Sequence, residues 1–340
     1  MNILLTGGAG YIGSHICYEL LIQGHAVVVL DNLLNSSLIA LERVMRMTSM
    51  PLEFVQGHVQ DYQLLKRILT ERNIDFVVHL AGLKAVGESV SSPLDYYESN
   101  VSGAVTLLRA MQCCNVKSII FSSSATVYGN ADALPLNELT PRSSSNPYGR
   151  SKLIVEHMLE DLYASDASWK IAILRYFNPV GAHPSGLIGE SPTGSPNNLM
   201  PYISQVAVGI RKSVVIFGND YPTRDGTGVR DYIHVVDLAK GHLAALSYLK
   251  AQTNAEMFVV NLGRGQGYSV LEVIRSFERV SGKTIRFEIG SRRQGDVSSC
   301  YADVTLAAQK LKWRALNDLD KMCADTWRWQ ENNPSGYSAG

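Results

Sequence analysis

The sequence predicts an α/β protein, a doubly wound parallel sheet joined to a smaller mixed α/β domain. Three observations predict it. Short apolar runs alternate with amphipathic stretches through the first half, a glycine cluster follows the first run, and the texture turns loop-rich after Tyr176. Strands separated by helices pair in parallel through right-handed βαβ units, with the helices covering both faces of the sheet.

In chain order, strands are expected at Asn2–Leu5, Ala26–Leu30, Glu53–Val55, Phe76–Leu80, Ser118–Ser122 and Ile171–Arg175. Helices are expected over Ile12–Gln23, Tyr62–Asn73 and Asn100–Cys114, where apolar residues recur at helical spacing. From Asn178 to Asp231 Gly, Pro, Asn and Ser dominate, and Leu199–Ile210 is the one good helix candidate. Loops of that length inside a compact domain usually carry function. Tyr232–Lys250 then reads as helix, Phe258–Leu262 as strand and Ser269–Ser281 as helix. The first domain is expected to comprise 1–177 plus about 232–262, because the chain returns to the sheet there. The second would comprise 178–231 plus about 263–340.

Composition excludes several classes. The chain has 31 basic and 31 acidic residues, whereas nucleic-acid and membrane-surface binders need a basic excess against phosphates. No apolar run approaches the ~20 residues that cross a bilayer, and Met1-Asn-Ile-Leu-Leu lacks the basic start of a signal peptide. Cys17, Cys113, Cys114, Cys300 and Cys323 are odd in number, scattered and without a CxxC pair, so neither a disulfide framework nor a zinc site fits. The eight histidines show no metal-ligand spacing, and no metal is expected. A cytoplasmic enzyme is the expectation.

The first strand runs into Thr6-Gly-Gly-Ala-Gly-Tyr-Ile-Gly13 and then a helix. Gly8, Gly10 and Gly13 satisfy GxGxxG, and Gly7, Gly10 and Gly13 satisfy the wider GxxGxxG. Such glycines allow a tight turn, let backbone N–H groups approach a pyrophosphate, and bring helix and strand together. The next strand ends at Asp31, where a carboxylate accepts from ribose hydroxyls and repels a 2′-phosphate. The domain is therefore read as a Rossmann-type unit that binds NAD in preference to NADP.

Asn146-Pro-Tyr-Gly-Arg-Ser-Lys152 opens a further helix, with Asn146 as N-cap and Pro147 at the first position. Tyr148 and Lys152 stand at i and i+4 on one face. A free tyrosine, with a pKa near ~10, is a poor base at neutral pH. A neighbouring ammonium and a positive nicotinamide ring would favour its phenolate. Ser124 follows the strand Ser118–Ser122, at the carboxyl end where ligands of such sheets bind.

Thr6–His15, Ala81–Ser89 and Ser122–Gly129 resemble the UDP-galactose 4-epimerase family of extended short-chain dehydrogenase/reductases. So do Leu174–Pro179, Pro196–Pro201, Gly226–His234 and Asp325–Gln330, almost from end to end. The resemblance implies that Tyr148 takes the proton of the hexose 4-hydroxyl while hydride passes from carbon 4 to tightly held NAD. The 4-keto sugar then turns over and takes the hydride back on its other face. Ser124 would bridge the substrate oxygen and Tyr148, and Lys152 would hold the nicotinamide ribose.

The resemblance further implies a cofactor pocket of Gly7, Gly10, Tyr11, Ile12 and Gly13, with Asp31, Asn32, Asn35 and Ser36 around the adenosine. His58, Val59, Leu80, Ala81, Gly82, Lys84, Asn100, Ser122 and Phe177 would complete it. The UDP-sugar would meet Lys84, Ser124, Tyr148, Asn178, Asn198, Leu199, Phe217, Arg230, Tyr232, Arg293 and Asp296. Arg230 and Arg293 also make sense unaided, since arginine holds a diphosphate bidentately. A homodimer is implied as well.

Two positions depart from the family pattern. His58 stands where an Asp usually accepts from the adenine amino group; a neutral imidazole can still accept one hydrogen bond, so weakened adenine recognition is expected. Cys300 stands at the position of the family's gatekeeper beside the sugar 2-substituent, where a tyrosine excludes N-acetyl sugars. A cysteine there implies activity on both UDP-Glc/UDP-Gal and UDP-GlcNAc/UDP-GalNAc. Among rivals, a sugar-nucleotide 4,6-dehydratase needs an acid and a base where Ala125-Thr-Val127 stand, and a catalytically inactive NAD-binding regulator typically loses the tyrosine or lysine. A UDP-glucuronate enzyme needs a cationic site for the hexose carboxylate that the sequence does not reveal. The pathway served stays open between galactose catabolism and surface-polysaccharide supply.

Overall fold

A computed structural model describes residues 1–131, 133–293 and 296–337. Seven parallel strands form the central sheet: β1 (Asn2–Thr6), β2 (Ala26–Asp31), β3 (Glu53–Gln56), β4 (Phe76–His79), β5 (Ser118–Ser124), β6 (Lys170–Tyr176) and, far later in the chain, Glu256–Leu262. Their spatial order is β3-β2-β1-β4-β5-β6 with the late strand outermost beside β6. The order reverses between β1 and β4, which opens a crevice beyond their carboxyl ends.

The strands read as near-continuous apolar runs because both faces are covered. On one face α1 (Tyr11–Ile22) packs with α2 (Leu38–Thr48) around Ile16, Leu20, Leu41 and Val44. On the other, α3 (Tyr62–Glu71) packs on the core around Leu65, Leu69, Leu107 and Met111. Short helices α4 (Val86–Ser91) and α5 (Pro93–Tyr96) lead through a π-helical turn, Tyr97–Ser102, into α6 (Gly103–Cys113). The helix expected to start at Asn100 thus begins at Gly103, with Asn100 in the π turn.

Helix α7 (Pro147–Ser165) starts as its sequence requires: Asn146 Oδ1 accepts from Gly149 N at 2.8 Å, and Pro147 occupies the first turn. Beyond β6 come β7 (Asn178–Val180), α8 (Leu199–Ala207), β8 (Val214–Phe217) and β9 (Val229–His234). The helix expected from Tyr232 therefore begins only after β9, as α9 (Val235–Ala251). Tyr232 and His234 are strand residues because Asn178 and Val180 of β7 pair with them in parallel register. The late sheet strand is β10, followed by β11 (Gly267–Ser269), α10 (Val270–Ser281), β12 (Phe287–Gly290), β13 (Ser299–Cys300), α11 (Thr305–Lys310) and α12 (Leu319–Asn332). β9 is the hub of this second group, flanked by β7, β11 and β13. The buried Asp231 fastens it by accepting from the backbone N–H groups of Arg264 (2.7 Å), Gly265 (2.9 Å) and Ala302 (3.1 Å). Among the described residues no helix is long and apolar enough to cross a membrane.

Candidate active site

The carboxyl end of β1 turns through the glycine loop so tightly that side chains would not fit. A Cβ on Gly7 would stand 2.7 Å from Ala81 N, and one on Gly13 2.4 Å from Gly7 O. Gly10 differs: its φ of −75° suits any residue, and a Cβ there would meet only Gly7 O at 3.4 Å. Protein packing does not demand this glycine, whereas the close approach of a pyrophosphate to the α1 N-terminus would. The loop borders a cavity of about 760 Å³, within the size range of cofactor pockets, so the residues present fit NAD.

Asp31 lies at that cavity, with its carboxylate accepting from Ala9 N (3.0 Å), Leu33 N (2.9 Å) and Ser36 Oγ (2.8 Å). Asn32, Asn35, Ser36, His58, Val59, Leu80, Ala81, Gly82 and Lys84 line it too, with Tyr11, Ile12 and Gly13 at the helix start. His58 corrects an expectation. Gln60 N–H donates to its Nδ1 at 3.3 Å, which leaves the neutral ring's proton on Nε2. The remaining nitrogen can donate but not accept.

The cavity ends at α7. Lys152 is buried, and its Nζ donates to the Ser122 carbonyl at 2.9 Å, 5.0 Å from the Phe121 ring centroid and 6.0 Å from that of Tyr148. Burial pushes this ammonium down to about 8. Burial also pushes the Tyr148 phenol above its ordinary value, while the Ser124 hydroxyl beside it pulls the other way. Desolvation outweighs the Ser124 hydrogen bond here; the sequence expectation counts the positive nicotinamide ring together with the lysine. Ser124 Oγ accepts from Thr126 N (3.2 Å) and Thr126 Oγ1 (3.0 Å), so its own proton is left to donate outward. Ser122 faces Tyr176, whose hydroxyl bonds to Ser122 Oγ and His242 Nε2.

Several predicted residues do not border this cavity. The Asn100 amide bonds to Leu83 N (2.7 Å), Leu83 O (3.0 Å) and Ser151 Oγ (2.9 Å), which ties down the loop after β4. Phe177 packs with Val127, Tyr128 and Leu136, and Tyr232 with Met200 and Ile203, each in a small core. Asn178 begins β7 and is exposed. Leu199 opens α8 behind Asn198, which does line the cavity and donates to Glu190 Oε1 at 2.8 Å. Arg230 and Asp296, both predicted for substrate, form an ion pair. The Arg293 guanidinium lies 4.0 Å from the Phe217 ring centroid. Cys300 is the register partner of Arg230 and packs against the small core of Val127, Tyr128, Leu136, Phe177 and Ala302, as does Ala125. Burial pushes its thiol up to about 11, which keeps it neutral.

A sequence profile described as "GDP-mannose 4,6 dehydratase" matches residues 4–326. The chain is 54% identical to the UDP-glucose 4-epimerase of Bacillus subtilis (strain 168) over 339 residues, covering 100% of this chain and 99% of that one. It is 53% identical to the UDP-glucose 4-epimerase of Homo sapiens, covering 99% and 98%. The crystal structure of UDP-glucose 4-epimerase from Bifidobacterium longum in complex with NAD+ and UDP superposes with a TM-score of 0.96 at 52% identity, covering 99% of this chain and 100% of that one. The chain belongs to the UDP-glucose 4-epimerase family. The dehydratase description of the profile is the broader grouping, because Ala125, Thr126 and Val127 offer neither the carboxylic acid nor the base that eliminating water requires.

Family membership also directs attention to what the sequence did not single out. Gly189, Glu190, Ser191, Thr193, Ser195 and Asn197 line the cavity, as does Tyr337 near the end of the chain. Glu190 Oε1 lies 3.4 Å from Lys84 Nζ, so one carboxylate engages both Lys84 and Asn198. Only the loop-rich texture of that segment signalled it.

Proposed function

We propose that the chain, an NAD-dependent UDP-glucose 4-epimerase, runs its chemistry on Tyr148, Lys152 and Ser124. The observation that carries this is that half-buried Tyr148 and buried Lys152 both line the inner end of the cavity that starts at the glycine loop. Bound NAD supplies a hydride acceptor for carbon 4 and a positive ring that favours the Tyr148 phenolate. Tyr148 takes the proton of the sugar 4-hydroxyl and later returns it. Ser124 donates its free proton to the same oxygen and holds it against the phenol. Lys152, fixed by the Ser122 carbonyl, keeps a cation beside the phenolate and reaches the ribose of the cofactor. Gly7, Gly10, Gly13 and Asp31 hold the dinucleotide; Arg230, Arg293, Phe217 and Asn198 hold the UDP group. In that complex Arg230 exchanges Asp296 for a phosphate oxygen.

Cys300 supports a wider substrate range. Its thiol lies beside Arg230 on one side and the cluster after Ser124 on the other, and lacks the volume of a phenol ring. We infer that UDP-GlcNAc and UDP-GalNAc are interconverted as well as the non-acetylated pair. A homodimer in the cytoplasm completes the reading; all five cysteines are free, which suits a reducing compartment. Coupled assays with UDP-Gal and UDP-GalNAc on one purified sample test the function: turnover of both is expected, and turnover of neither overturns it. Sedimentation tests the dimer.

A further inference from the structure

The segment from His183 to Ser191 reaches the cofactor cavity through Gly189, Glu190 and Ser191 and is sewn to residues 329–337. Trp329 Nε1 donates to Glu190 O (3.0 Å), and Asn333 Nδ2 donates to Gly186 O (3.0 Å). The Tyr337 hydroxyl accepts from Gly189 N (3.0 Å) and donates to Gly189 O (3.2 Å), while Tyr337 N donates to Ser191 Oγ (3.2 Å). Arg43, on α2, stands in the centre. Its Nη1 donates to Leu187 O (2.9 Å) and Asn333 Oδ1 (2.6 Å), and its guanidinium lies 5.7 Å from the Trp329 ring and 5.3 Å from the Tyr337 ring.

The seam is too close for side chains. A Cβ on Gly189 would stand 2.4 Å from the Trp329 ring, and one on Gly336 2.2 Å from Ser191 Oγ. A Cβ on Gly186 would stand 2.6 Å from Asn332 Nδ2. Tyr337, Gly189 and Glu190 all line the cavity that holds the glycine loop, so the seam closes over the start of α1. Arg230, Arg293 and Cys300, predicted for the UDP-sugar, do not line that cavity.

We propose that this seam is a clasp that retains the cofactor: Arg43 and Tyr337 hold residues 183–191 down over the pyrophosphate end of the cavity. The inference rests on the reading of that cavity as the NAD site. It accounts for a requirement of the reaction. A cofactor restored to its starting state at every turnover has no need to leave, whereas the UDP-sugar must exchange each time.

The test loads wild type, Arg43→Met, Tyr337→Ala and Tyr337→Phe with NAD, removes free cofactor by gel filtration, and follows loss of bound NAD with time by acid release. Arg43→Met and Tyr337→Ala are expected to lose NAD roughly tenfold faster or more. Tyr337→Phe, which keeps the ring but not the two Gly189 bonds, should fall between; it serves also if the alanine variant does not fold. Circular dichroism confirms that each variant compared is folded. An unchanged rate of NAD loss in folded Arg43→Met, or in both Tyr337 variants, overturns the clasp. Failure of wild type itself to bind NAD would instead overturn the reading of the cavity.

Discussion

Lys152 Nζ donates to the Ser122 carbonyl at 2.9 Å, a bond between the helix that carries Tyr148 and the strand that ends in Ser124. Lys152 is 7% exposed, and burial holds its ammonium at about 8. A buried cation with a backbone carbonyl as its partner is costly in the ligand-free chain, and that cost has a pH signature.

An unfolded lysine titrates near ~10.4. Between about 8 and that value the unfolded chain holds a proton at this position that the folded chain has lost. The folding stability contributed by Lys152 therefore rises with pH across this window, and below it the full cost of burying the charge is present. Urea unfolding of NAD-free wild type and Lys152→Met should diverge in favour of wild type between pH 7.5 and 10. A pH-independent difference would refute the assignment.

Tyr148→Phe removes the group that exchanges the proton and leaves the ring in place. Its kcat is expected to fall by about 10²- to 10⁴-fold, the usual worth of a general base, while NAD stays bound. Lys152→Met should also lower kcat, and a decline in rate above about pH 8, where Lys152 gives up its proton, is expected in wild type and not in the variant. Full activity in Tyr148→Phe would exclude the phenol as the base.

The parallel sheet was legible in the sequence because each of its strands is a short apolar run next to a helix or loop signal. The glycine loop, Asp31 and the α7 start were legible for the same local reason. The second group of strands was not. β7 and β13 span Asn178–Val180 and Ser299–Cys300, too short for any periodicity, and they exist because β9 pairs with them. Tyr232 reads as helix because it adjoins the apolar run of α9, but β7 claims it for the sheet. Tyr337 and Glu190 reach the cavity through tertiary contacts that no spacing encodes.

Cys300→Tyr places a phenol beside Arg230 and the residues that follow Ser124. Turnover of UDP-GalNAc should be abolished and that of UDP-Gal spared, measured in parallel on the same variant. Equal loss of both would mean that position 300 supports the sheet and does not select the sugar.

His58→Asp substitutes an acceptor for a ring whose accepting nitrogen is already taken by Gln60 N–H. The adenine amino group requires an acceptor, so the variant should retain more NAD than wild type after extended dialysis. Equal retention would count against a role for position 58 in adenine recognition.

Glu156 is fully buried on α7 one helical turn beyond Lys152, and Arg175 Nη2 meets it at 2.7 Å while Ser123 Oγ also donates to it. Arg175 and Ser123 are register partners on β6 and β5, so this ion pair joins the catalytic helix to the sheet directly behind Ser122 and Ser124. Removing one partner strands a charge in the core. Arg175→Met leaves the carboxylate with the Ser123 hydroxyl and, as its one remaining cation among the described residues, Arg142, 3.3 Å away at the edge of the core, and should cost about 3–5 kcal/mol. Removing both charges avoids that penalty, so Glu156→Met/Arg175→Met should be more stable than Arg175→Met in urea unfolding. A double variant less stable than the single would mean that Glu156 is sustained by Arg142 and Ser123 alone.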